Sequence, residues 1–110
     1  MLWFLRGIRR GVVTTRYPAG RDPWAAQLPT PPSFRSDLLT SALAERLAAA
    51  CPTGALRRDA TDLVFDLGAC VCCNRCAEVG GEAVVRTGEF ELSTRDRAAL
   101  VKRIPIGDRP

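Results

Sequence analysis

Five cysteines and no histidine set most of what this 110-residue chain can do. The cysteines stand at Cys51, Cys70, Cys72, Cys73 and Cys76, four of them within seven residues. Bridges between such near neighbours constrain little chain, so a disulfide scaffold is a poor use of this spacing. The odd count points the same way. Reduced thiols, and hence a cytosolic compartment, are the expectation. The missing histidine removes the imidazole base, the Cys–His nucleophile pair and every His-containing zinc site. Chemistry is left mainly to thiols and carboxylates. The length holds one compact domain, and a hydrophobic content of 46% is too apolar for a disordered chain.

Charge divides the chain unevenly. Residues 1–35 carry six arginines against one acid, Asp22, for a net of +5, while the rest carries ten bases and eleven acids, a net of −1. Basicity thus belongs to an N-terminal arm, whose partners by charge are anionic lipid, RNA or an acidic protein surface. Near the cysteines the body is slightly acidic and lacks aromatic–basic interleaving, so nucleic acid is not expected as a partner. Leu2, Leu5, Ile8 and Val12, with Arg6, Arg9 and Arg10 between them, predict an amphipathic basic helix over residues 1–13. Gly7 and Gly11 weaken it. Spanning a bilayer takes roughly 20 apolar residues, so this segment does not cross. The arginines also break any signal-peptide core. The helix either docks on protein or lies in a membrane interface. Five prolines in residues 17–36 then predict an extended stretch without regular structure. Trp24 and Phe34 within it read as anchors onto a neighbouring surface.

Beyond the arm, residues 36–50 are strong helix formers with Leu39, Leu43 and Leu47 at i, i+4 and i+8. That helix should end at Cys51-Pro52, because the residue before a proline is pushed out of the helical region. Leu63-Val64-Phe65 and Val84-Val85 are short strand candidates, with turns at Thr61-Asp62 and Gly80-Gly81. Ser93 is placed to cap a final helix over Thr94–Arg103, with Leu100 and Val101 inward and Pro105 closing it. The division expected is an arm at 1–35, a cysteine-bearing domain at 36–90 and a C-terminal helix and tail at 91–110.

Cys70, Cys73 and Cys76 form a C-x2-C-x2-C run. Three thiolates wound into one tight loop suit three irons of a cubane, whereas zinc sites usually present two separated C-x2-C knuckles. Bacterial ferredoxins follow such a run with x3-C-P, and in two-cluster forms that fourth cysteine ligates the other cluster. Here Gly80 stands at the fourth position. Upstream, Cys51-Pro52-Thr53-Gly54-Ala55 is the ending of such a motif without its beginning. Counting back by the same spacing gives Ser41, Ala44 and Leu47. One set of four positions (41, 44, 47 and 80) therefore has no cysteine, and the other (Cys51, Cys70, Cys73 and Cys76) is complete. Random erosion would not be expected to divide the sets so cleanly. One [4Fe-4S] cluster on the complete set is the leading expectation, with a zinc site or a metal-free fold as alternatives. Cys72 reads as a small hydrophobe packed beside the ligands, ligand exchange or redox sensing being the minority reading. Asn74 and Arg75 either face solvent or act on the group through hydrogen bonding or charge.

These motifs resemble the bacterial-type two-cluster ferredoxins. Thr14-Thr15-Arg16-Tyr17-Pro18, the proline-rich stretch and Phe34-Arg35 ahead of them narrow the resemblance. Over roughly residues 1–85 the chain looks like the ferredoxin-like iron–sulfur subunit of complex I and of group 4 membrane-bound [NiFe] hydrogenases of the formate hydrogenlyase type, departing from it by the loss of one ligand set. The resemblance implies an α+β, ferredoxin-like fold of two short hairpins and two helices with pseudo-two-fold symmetry. Leu43 and Leu47 would refill the vacated site as ordinary core. It implies an electron-transfer subunit without a catalytic site or small-molecule substrate of its own. Its partners would be the other subunits of a multi-subunit redox complex, with residues 1–35 against the membrane surface or a membrane-arm subunit. The location implied is peripheral, on the cytoplasmic face of the membrane. A structural or assembly subunit with a non-essential cluster is the alternative.

Overall fold

The computed structural model describes residues 2–11, 14 and 16–107. Among these, three α-helices and two antiparallel sheets make a small mixed α+β domain. The N-terminal helix α1 spans Trp3–Arg10, and none of its residues is buried. The two valines expected to extend it, Val12 and Val13, lie outside the described residues, as do Thr15 of the arm motif and residues 108–110 of the tail. No helix among the described residues is long and apolar enough to cross a membrane.

Two nested strand pairs organise the body. Strand β1 (Pro32–Phe34) leads through a 3-10 turn at Ser36–Leu38 into α2 (Ser41–Ala50) and β2 (Leu56–Arg58). Strand β3 (Asp62–Asp66), helix α3 (Arg75–Gly80) and β4 (Val84–Arg86) repeat that order. The outer strands pair antiparallel, Phe34 opposite Val84 and Pro32 opposite Arg86. The inner strands pair as a hairpin, Leu56 opposite Phe65 and Arg58 opposite Leu63. Leu63 and Phe65 alternate inward into a core with Phe34, Leu39, Leu47 and Ile106. Phe34 and Phe65 meet edge to face, their ring centroids 5.2 Å apart, a geometry worth about 0.5–1.5 kcal/mol beyond the area it buries.

Several expectations meet corrections. Helix α2 starts at Ser41, not near residue 36, because Leu39 is extended and the Thr40 hydroxyl caps the helix by accepting the Leu43 amide at 3.2 Å. It ends at Cys51-Pro52 as the proline requires. Phe34 is not an anchor onto a neighbouring surface: it is a core residue of this chain, and the segment expected to lack regular structure ends in β1. No helix forms over Thr94–Arg103. Asp96, rather than Ser93, caps a short 3-10 turn at Arg97–Leu100 by accepting the Ala98 amide, and β5 (Val101–Pro105) follows. The reason is tertiary. Without β5, β3 would be an edge strand with open amides and carbonyls, and β5 fills that ladder with Ile104 opposite Leu63 and Val101 opposite Asp66. A cooperative ladder on the central strand outweighs a helix preference of a few tenths of a kcal/mol per residue.

The arm's second half lies along its own body. The Arg86 guanidinium donates to the Leu28 carbonyl, and the Thr87 hydroxyl donates to the Pro31 carbonyl, each at 3.2 Å. Thr30 is buried, and its hydroxyl accepts the Gly88 amide. Tyr17 stacks near Phe90 at 5.4 Å between centroids and hydrogen-bonds Glu91. Trp24 remains exposed.

Candidate iron–sulfur site

Cys51, Cys70, Cys73 and Cys76 come from three places in the chain and line one recess. Cys51 is delivered by the C-terminus of α2, where Pro52 ends the helix. Cys70 follows the turn after β3. There Asp66 accepts the Gly68 amide at 2.9 Å, and the Cys70 amide donates to the Leu67 carbonyl at 3.3 Å. Cys73 sits on the exposed rim, and Cys76 lies in the first turn of α3. Between them the backbone turns sharply twice, with Cys72 at φ 54° and Asn74 at φ 62°. Left-handed backbone at two non-glycine positions only two residues apart is uncommon. Here it winds a seven-residue loop so that three cysteines face the α2 C-terminus.

Hydrogen-bond donors surround the sulfurs unequally. Burial pushes the Cys51 thiol up, but the Thr53 hydroxyl 3.7 Å away and the amides of Thr53, Leu56 and Ala55 outweigh it. The net direction at Cys51 is down. At Cys70 burial dominates and raises the thiol, against the Cys72 amide that donates to its sulfur at 3.4 Å. Burial also raises Cys76, with the neighbouring charges of Cys73 and Cys51 adding to it. Thiols held protonated by burial, as at Cys70 and Cys76, release their protons when a cation is bound.

Among the described residues no three His, Cys, Asp or Glu side chains are gathered as one metal ion needs. A mononuclear zinc takes four donors about 2.3 Å from a single point, whereas a cubane offers each thiolate its own iron. Four thiols round one recess match such a group in number. The donor set also suits iron–sulfur ligation in kind, being four cysteines without histidine or carboxylate. Cys72 lines the same recess, partly buried; its amide donates to the Cys70 sulfur, and its thiol lies close enough to push Cys70 further up.

The four cysteine-free positions make a different place. Ala44 and Leu47 on α2 are completely buried. A Cβ built on Gly80 would collide with Val84 Cγ2 and lie 3.3 Å from Leu47 Cδ2. Leu47 and Val84 therefore occupy the space beside Gly80, and this end of the domain is packed as hydrocarbon.

The sequence located all four cysteines of the recess. It missed the buried Asn74 oxygen and the donors around Cys51, which depend on backbone conformation that spacing does not encode. Comparison with models of known protein families and with curated proteins finds no match.

Proposed function

We propose that this chain is an electron-carrying iron–sulfur subunit of a membrane-associated, hydrogenase-like or complex I-like redox assembly, holding one [4Fe-4S] cluster through Cys51, Cys70, Cys73 and Cys76. The single observation that carries this reading is the contrast just described: four cysteines round one recess, with Ala44 and Leu47 buried and hydrocarbon packed beside Gly80 where most of a second set would stand. The nested pairing of β1 with β4 and β2 with β3 supports the finer fold assignment, a ferredoxin-like domain that keeps one of two sites.

A cluster held by four thiolates supplies one-electron transfer and has no open position for substrate. The chain's own residues do the rest. Cys73 on the rim puts one ligand within reach of solvent or a partner surface. Leu56 and Phe65, both buried, give the recess an apolar wall. A low local dielectric and few waters are among the levers that set such a potential. The arm supplies attachment. Leu2 at the N-cap and Trp3, Phe4, Leu5 and Ile8 on α1 are all exposed, beside Arg6, Arg9 and Arg10. That is the composition of a helix lying at an anionic membrane face, here the cytoplasmic one, or against a basic-helix-binding subunit.

The test is purification of the tagged chain with its partners from native membranes, wild type beside Cys73→Ser. Electron transfer requires that the serine variant assemble and lose turnover. Full turnover without iron would instead make the chain a structural strap.

A further inference from the structure

We propose that Asn74 is a positioning residue of the cluster site, its side-chain amide donating a hydrogen bond to a sulfur of the bound group and so raising its reduction potential. The inference rests on the proposed function above. Three observations carry it. Asn74 is the N-cap residue of α3, yet its side chain accepts no amide of the first turn. An asparagine at an N-cap ordinarily does so, from an extended backbone. Here the left-handed φ of 62° turns the side chain away from that task. Second, Asn74 lines the recess with the four cysteines. Third, its Oδ1 is sealed from solvent without a partner, the single such side-chain oxygen or nitrogen among the described residues.

An unpaired buried carboxamide oxygen costs about 1–3 kcal/mol. It is stable there only if the buried end of the amide has a use. The oxygen and nitrogen of a carboxamide are nearly the same shape, so rotation about the last torsion exchanges them. With the nitrogen inward, the amide offers N–H to the recess, and sulfurs of an anionic cluster are acceptors at that place. Hydrogen bonds to cluster sulfur stabilise the more negative, reduced form and are one of the terms that set its potential. Glycine would adopt the left-handed backbone more easily than asparagine, so the backbone alone does not call for this side chain.

Asn74 is the only asparagine in the chain. Labelling with 15N at the asparagine amide therefore marks one site. The reduced, reconstituted protein should show a 15N coupling in pulsed EPR that vanishes in Asn74→Gly. Mediated titration should show Asn74→Gly with unchanged iron content and a lower potential. The reduced-to-oxidised ratio at fixed potential should fall about tenfold, 59 mV for a one-electron couple. Asn74→Asp, of the same shape without the N–H donor, should fall further. Wild-type potential in both variants, or no 15N coupling in the wild type, overturns the role of Asn74 while leaving the cluster in place. Failure of the wild type to take up iron and sulfide would overturn the underlying reading instead.

Discussion

The two ends of α2 show what four residues can change while a scaffold stays the same. At its C-terminus, Cys51 faces a loop of three cysteines across a recess with amide and hydroxyl donors aimed at sulfur. Along its body, Ala44 and Leu47 are fully buried, and Leu47 meets Gly80 in a hydrocarbon contact shared with Val84. Both ends join a helix to its partner in the other half of the domain. The first, on the proposed function, does it through thiols that hold a bound group, the second through dispersion and excluded water. The first would then give chemistry and a dependence on loading; the second gives stability that needs no metal.

Breaking the two ends should have opposite signatures. The largest effect is expected at the sulfur end. Cys76→Ser should abolish cluster retention in anaerobic reconstitution, read as loss of the visible iron–sulfur absorbance, while Ser41→Ala should leave it intact. Next comes the hydrocarbon end. Leu47→Ala removes a completely buried side chain and should cost about 2–5 kcal/mol in urea unfolding, with the iron-to-protein ratio unchanged once refolded. Gly80→Ala follows. Its methyl would collide with Val84 Cγ2, and forced repacking of that kind costs about 1–3 kcal/mol.

The smallest effect belongs to the surface. Arg97 holds Asp66 in an ion pair at 2.6 Å, and that hydrogen bond is the main cause of a lowered Asp66 carboxyl. A carboxylate depressed in the folded state stabilises above its unfolded pKa, about 3.9, and loses that contribution as pH falls through the folded value. Arg97→Ala should therefore lower the melting temperature slightly at pH 7. The difference from wild type should vanish at the acid end of a pH series.

Much of this site was legible before any coordinates. Laying the ferredoxin spacing on the chain separated a complete cysteine set from an empty one, and the complete set is the one that lines the recess. Proline placed the end of α2 for a similarly local reason. What stayed hidden was decided at a distance. β5 reads as helix because Ser93 and the alanines favour one locally, and only the open edge of β3 makes it a strand. Phe34 lies among prolines and reads as an arm residue, yet pairing of β1 with β4 carries it into the core. The orphaned oxygen of Asn74 follows from a backbone conformation that no residue type dictates.

The central claim, one loaded end and one packed end, is tested most directly by counting. The full chain, expressed anaerobically or reconstituted with iron and sulfide, should bind about four irons and as many sulfides. Reduced with dithionite, it should give the EPR signal of a single isolated cluster without spin coupling to a second. Zinc in place of iron, or no metal retained, would contradict the account, as would twice that iron with a coupled spectrum.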